Sequence, residues 1–303
     1  MNPPATLPLG FVTNCLGQTT ITHAAAVAER LGFDCLEVGA SVALDVAAFR
    51  AVQRNSPVKL QSLIFSRNYL HPEASLRQAF RAGLRERLAL AAELGIGQIT
   101  MATGVDPRLG LAENILAVLD FWGPIWEAHP DITFAMENCP MTGNFALGPA
   151  TWRPLLEATA QHPNFGLNFD PSHLIWQMID PYAPLGEFAP HLKSVHAKDT
   201  VVWREVLAEH GILTPYKLAE VTPHGMEETR APWWGFRLPN EGDLDWARWV
   251  GELLHTGYRG VIMIEHEDPR YTATPDLVEA GLRRSLNYLR HLLASQSVQE
   301  APS

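Results

Sequence analysis

The feature that most constrains this chain is an alternation that runs from end to end. Short β-rich runs occur at Leu9–Asn14, Cys35–Val38, Lys59–Phe65, Gln98–Ala102, Thr133–Glu137, Phe165–Phe169, Leu192–His196 and Gly260–Glu265. Between them, apolar residues recur three and four apart, which predicts helices over Thr22–Leu31, Asp45–Arg54, Glu73–Leu94, Leu111–His129, Pro149–Gln161, Asp180–Phe188, Asp243–His255 and Pro275–Leu293. In Glu73–Leu94, for instance, Leu76, Phe80, Leu84 and Leu88 form the apolar stripe, while Arg77, Arg81, Arg85 and Glu86 take the polar side. The phrases LGFDCLEV, LGIGQITM and TGYRGVIMI share one logic: a glycine closes a helix in a left-handed cap and a buried strand follows.

Several strands are apolar almost without interruption, as parallel strands covered on both faces must be. Eight strands alternating with eight helices predict an α/β fold, a single (β/α)₈ TIM barrel over residues 1–303. A doubly wound open sheet would be expected to carry GxGxxG or GxxxxGK[ST] after an early strand, and neither is present. The polar tail, 294–303, is expected to fray.

The net charge of −10 argues against a nucleic-acid partner, because binding phosphates needs a surplus of Lys and Arg. Three scattered cysteines, Cys15, Cys35 and Cys139, make neither a disulfide framework nor a CxxC zinc site, and a reducing cytoplasm is the expected setting. The first residues, MNPPATLPLG, have no signal-peptide character, and no apolar run approaches the ~20 residues of a membrane span.

One connection breaks the rhythm. About forty residues, 200–242, separate the seventh strand from the next helix, and a loop of that length usually has a function. It carries Trp203, Tyr216, Trp233, Trp234 and Phe236, too aromatic for disorder. We expect a lid over the C-terminal mouth of the barrel, with Trp233, Trp234 or Phe236 as an apolar wall against the ligand. The competing expectation is a contact between copies in a homo-oligomer.

Catalytic side chains of such barrels sit at the C-terminal ends of strands. Here strand five ends Met136-Glu137-Asn138, strand six runs into Asp170-Pro171-Ser172-His173, strand seven ends His196-Ala197-Lys198-Asp199, and strand eight ends Ile264-Glu265-His266-Glu267-Asp268. Glu137, Asp170, His196 and Glu265 thus come from four successive strands at matching depth. Three converging carboxylates would repel one another unless a cation lies between them. One imidazole with three carboxylates favours Mn²⁺, with Mg²⁺, Zn²⁺ and Co²⁺ as the other candidates.

These motifs resemble the xylose isomerase-like TIM-barrel superfamily, which includes ketose 3-epimerases, inosose dehydratase and endonuclease IV. The resemblance implies that Glu137, Asp170, His196 and Glu265 hold one divalent ion. It also implies that Glu137 and Glu265 move protons and that His173 binds substrate. The stretch Arg237 to Trp246 is similar to a superfamily segment written RLPG-G--DW, except that Asn240 replaces the first glycine. Endonuclease IV has an Asp-x-His pair where this chain has Trp234 and Phe236, so one ion is implied instead of three.

The expected chemistry is proton abstraction beside the carbonyl of a ketose or keto-sugar, through an enediolate. Its outcome would be epimerisation or isomerisation, or dehydration if a β-hydroxyl departs. His173, His71, Lys198, Arg237 and Glu37 are the candidates to hold the substrate together with Trp233 and Trp234, an ion pair inside the barrel being the equal alternative for Glu37. A metal-dependent hydrolase and a non-catalytic sugar-binding barrel are the alternatives from other classes. With no Gly-rich loop beside a basic partner, an unphosphorylated sugar or polyol is expected.

Overall fold

The structure is a computed structural model that describes residues 7–212 and 233–299. Eight strands close into a parallel barrel: β1 (Leu9–Val12), β2 (Cys35–Val38), β3 (Lys59–Ile64), β4 (Gln98–Met101), β5 (Thr133–Glu137), β6 (Phe165–Phe169), β7 (Leu192–Ala197) and β10 (Ile262–Ile264). β10 lies between β7 and β1 and completes the ring. The register sets Phe11 beside both Leu36 and Ile264, and Glu137 beside Asn168. The outer helices are α1 (Ile21–Leu31), α2 (Val46–Asn55), α3 (Ala74–Leu94), α4 (Leu111–Ala128), α5 (Pro149–Ala158), α7 (Ala183–Phe188), α9 (Trp246–His255) and α10 (Pro275–Gln299). Among the described residues no helix is long and apolar enough to cross a membrane.

The two-residue period of the strands divides the core into two. Outward residues such as Phe11, Leu36, Phe134 and Phe169 pack against the helices, where Trp122, Trp126, Trp152 and Trp249 are fully buried. The inward residues form a small apolar plug of Val12, Cys35, Ile64, Val261 and Met263. Beside it runs a hydrogen-bonded polar layer: Gln98 donates to Ser194 Oγ (3.0 Å), and Ser194 donates to Asn168 Oδ1 (2.9 Å).

Two short helices supplement the expected elements. α6 (Pro171–Trp176) starts directly after β6, with Asp170 as N-cap and Pro171 at the first helical position. α8 (Arg204–His210) lies within the 200–242 connection. The described part of that connection is also a hairpin: β8 (Asp199–Val202) pairs antiparallel with β9 (Trp234–Arg237). Its packing gives it a small core of its own, made by Val202, Val206, Trp233 and Trp234 with Ile175 and Trp176 of α6. The expected aromatic Tyr216 falls outside the described residues.

The C-terminal helix runs to Gln299, further than the expected end at Leu293. Gln296 donates to Ala247 O (3.1 Å), tying this last stretch to α9.

Candidate functional site

β5, β6, β7 and β10 are consecutive around the barrel, and each delivers an inward polar side chain near its C-terminal end. Glu137, Asp170, His196 and Glu265 are all buried. His196 Nδ1 lies 3.4 Å from Glu137 Oε1 and 3.3 Å from Glu265 Oε2. His173, brought in by the first turn of α6, places Nε2 3.6 Å from Glu137 Oε1 and 3.5 Å from Asp170 Oδ2. Ligand atoms of Glu137, Asp170, His173 and Glu265 all lie within 4.8 Å of one another, a grouping that can hold a metal ion.

Two atoms in this cluster have unused bonding capacity. Asp170 Oδ1 accepts from Ser172 N (2.8 Å), capping α6, while the buried Oδ2 makes no hydrogen bond and faces the Lys198 ammonium at 3.2 Å. His196 Nε2 is 2.8 Å from Glu37 Oε1, and its buried Nδ1 has no hydrogen-bond partner. Glu37 accepts from Ser62 and Thr100 as well, so it is fixed from below. With Nε2–H donating to Glu37, the neutral ring turns the lone pair of Nδ1 towards Glu137 and Glu265. A carboxylate behind an imidazole is the usual support of a metal-binding histidine.

His173 has the opposite polarity. Trp176 Nε1 lies 3.4 Å from His173 Nδ1, and an indole N–H can only donate. The neutral form of His173 therefore carries its proton on Nε2, facing the carboxylates as a donor.

Lys198 lies two residues beyond His196 and points to the same side. It is buried, donates to Glu265 and to Glu267 Oε2 (2.9 Å), and rests over the Phe236 ring at 4.4 Å. Burial lowers the pKa of Lys198, but Asp170, Glu265 and Glu267 outweigh it and raise it well above the usual range. Burial likewise disfavours the cation of His196, yet Glu265, Glu137 and Glu37 hold its pKa well above normal. The carboxylates respond in the other direction. Burial raises both, but Lys198 and His196 pull Glu265 down to about 2, and His196, His173 and Lys198 hold Glu137 well below the carboxylate range. Burial lowers the pKa of His173, and Cys139 and Asp170 are the chief influences that bring it to about 10. The site as it stands gathers protons to offset its anions, and a metal ion binding there would displace them.

Above the cluster opens a cavity of about 360 Å³, bordered by Glu137, Glu265, Lys198, Trp234 and Phe236 among others. Trp234 and Phe236 sit two apart on β9 and share the face that meets the cavity. Trp234 also stacks on Trp176 at 4.7 Å. Trp233 and Arg237 have the other parity and are not on the wall. Trp233 is buried in the hairpin core, and Arg237 lies near Trp203 and 3.8 Å from Asp268 Oδ1. His71 is placed elsewhere: its Nδ1 accepts from Glu73 N (3.0 Å) in the turn before α3, and its ring meets Phe80 edge-on. Glu37 lies behind His196, where its role is to hold that ring.

A family model described as the xylose isomerase-like TIM barrel matches residues 25–292. The chain belongs to that family. A relative within reach of sequence comparison is the uncharacterized protein YfiH of Bacillus subtilis (strain 168), 28% identical, with 95% of this chain and 100% of YfiH covered. Among solved structures, the IOLI protein with a bound zinc atom superposes with a TM-score of 0.70 at 14% identity, covering 96% of this chain and 99% of that one. D-psicose 3-epimerase from Clostridium cellulolyticum H10, solved with D-tagatose, gives 0.67 at 14% identity, with 95% and 99% covered. At these identities the likeness is one of fold.

Further residues border the cavity, among them Glu267, Cys139, Ser66 and Arg67. Glu267 follows Glu265 by two and Cys139 follows Glu137 by two. The strand period extended past the formal strand end was the signal for both.

Proposed function

We propose that this member of the family is a divalent-metal-dependent sugar isomerase or epimerase acting on a ketose or keto-sugar. The observation that carries the reading is the pair of buried atoms without a hydrogen bond, Asp170 Oδ2 (ion-paired with Lys198) and His196 Nδ1, converging with Glu137 and Glu265. Glu137, Asp170, His196 and Glu265 would hold the ion, for which one nitrogen and three carboxylates favour Mn²⁺. When bound, the ion supplies Lewis-acid polarisation of a carbonyl and its neighbouring hydroxyl.

The chain's own residues do the rest. Glu137 and Glu265 stand on strands separated by β6 and β7, so two carboxylates reach the cavity from different sides of one ligand cluster. One takes a proton from the carbon beside the carbonyl and the other returns a proton, which inverts that carbon or moves the carbonyl. His173 Nε2–H and Lys198 Nζ donate to substrate oxygens. Trp234 and Phe236 pack against the C–H face of the sugar and limit the entry of water, the role expected of the connection as a lid. The zinc of the IOLI structure and the sugar of the epimerase structure agree with this reading.

The test is incubation of Mn²⁺-loaded protein with ketoses, keto-inositols and 3-keto-glycosides in D₂O. Deuterium appearing at carbon with otherwise conserved mass supports the proposal. Loss of one water from the product would make the protein a dehydratase with the same first step. Gain of water would make it a hydrolase, and binding without exchange a sugar-binding barrel.

A further inference from the structure

The cavity has a second polar wall. β3 lies four strands from β7 around the ring of eight, diametrically opposite His196 and Lys198. Ser66 and Arg67, the second and third residues past the end of β3, border the same cavity as Glu137 and Glu265. Ser66 is only 6% exposed, and its Oγ has no hydrogen-bond partner. The Arg67 guanidinium rests 4.8 Å over the Phe65 ring and donates to Ser66 O (2.7 Å). Among the described residues it is paired with no carboxylate, in a chain whose net charge is −10.

Arg77, Arg81 and Arg87 are satisfied by backbone carbonyls of His71, Tyr69 and Gly83 instead of by carboxylates. Across the diameter of the mouth, Glu137, Glu265 and Glu267 border the cavity on the β5 to β10 side together with Lys198, and Arg67 borders it on the β3 side.

A guanidinium with open donor positions beside an unpartnered hydroxyl matches the oxygens of a carboxylate or phosphate, which it can bind in a fork. A cavity of about 360 Å³ is of the size that ligand sites take, so one monosaccharide could reach both walls. We propose that Ser66 and Arg67 form an anion subsite, and that the substrate is an acidic sugar with its reacting carbonyl at the Glu137–Glu265 end and a carboxylate or phosphate at the β3 end. The proposal rests on the proton-transfer reading for the position of the carbonyl, but not for the anion preference itself. A carboxylate there would keep the expectation of an unphosphorylated substrate and a phosphate would revise it, because the cation comes from a side chain past a strand end and not from a Gly-rich loop.

Three matched probes isolate the anion: D-fructose, D-fructuronate and D-fructose 6-phosphate, titrated into Mn²⁺-loaded protein by calorimetry. At least one of the two anions should bind about tenfold or more tightly than D-fructose. The stronger of the two names the group. Arg67→Gln should erase that preference while leaving the affinity for D-fructose unchanged. Equal binding of all three probes, a preference that survives Arg67→Gln, or no measurable binding of either anion would overturn the subsite. Deuterium exchange at carbon, followed in the same samples, reads the other proposal separately. Anion preference without exchange would sink the proton-transfer reading and leave the subsite standing.

Discussion

Two buried aspartates, Asp170 and Asp199, stand at neighbouring strand ends and are used in opposite ways. Asp199 is surrounded by donors: the N–H groups of Thr200 (2.8 Å), Asn240 (3.2 Å), Gly242 (3.1 Å) and Leu244 (3.2 Å), and the indole of Trp246 (2.9 Å). It gathers the loop between β9 and α9 around one carboxylate. Gly242 has no room for a side chain there, since a Cβ would come within 2.3 Å of Asp199 Oδ1. Asp170 has one oxygen occupied by a helix cap and the other without a hydrogen bond, facing two further carboxylates and a lysine. A buried carboxylate whose lone pairs are filled by fixed N–H groups organises the backbone. One left facing other carboxylates needs a cation, and that is where a ligand is to be sought.

The sharpest expected effects fall on the acidic cluster. Glu137→Gln or Glu265→Gln should lower kcat in the D₂O exchange assay by roughly 10²–10⁴-fold, the usual range for a positioned acid or base. Retained exchange in both variants would break the contrast.

Asp170 and Asp199 should then part company. Asp199→Ala leaves four backbone N–H groups and an indole without their acceptor and should cost about 3 kcal/mol or more of stability, read by urea unfolding. Asp170→Asn keeps a good helix cap and removes one of several crowded anions, so its stability should stay within about 1 kcal/mol of the parent. Metal content by mass spectrometry should move the other way, with ion lost from Asp170→Asn and kept by folded Asp199→Ala.

Glu37→Gln tests the support behind the cluster. It leaves every proposed ligand in place but weakens the hold on His196 Nε2–H, and metal affinity should fall about 10–100-fold. An unchanged affinity would detach Glu37 from the site.

The smallest effect sharpens the structural side. Burial raises the pKa of Asp268, but Arg270 and the N–H groups of Leu238 and Arg270 more than offset it and hold it below the usual value. A carboxyl depressed in the folded state stabilises above its unfolded pKa of ~3.9, and that contribution fades as pH falls through the folded value. Asp268→Asn should therefore lower Tm by roughly 2–4 °C at pH 7, with the gap to the parent closing below about pH 4. A gap that widens in acid would reverse the sign.

Much of this was legible in the sequence because it depends on local period. The eight barrel strands and eight outer helices follow from apolar spacing, and their ends agree with the structure within a few residues in most cases. The inward direction of Glu137, His196 and Glu265 follows from the period of two. What depended on distant partners was hidden. β8 and β9 pair across a long connection, so neither short run identified the other. That pairing also decides that Trp234 and Phe236 meet the cavity while Trp233 and Arg237 do not. Glu37 reads as inward from its strand, but its hold on His196 spans the barrel. α6 was signalled by Asp170 and Pro171 in cap and first-turn positions, a local cue overshadowed by the metal-ligand reading of the same aspartate. Asn240 shows a departure that the backbone explains: its φ of 70° is left-handed, a conformation asparagine tolerates best after glycine.

The most direct test of the central claim is a crystal structure of the protein loaded with Mn²⁺, with the ion located by its anomalous signal. The account predicts one ion with Glu137, Asp170 and Glu265 oxygens and His196 Nδ1 at ~2.0–2.3 Å, Lys198 displaced towards Glu267, and His173 Nε2 outside the coordination sphere. An ion held by His173 in place of His196, or Lys198 still seated between Asp170 and Glu265 with no ion beside it, would contradict it.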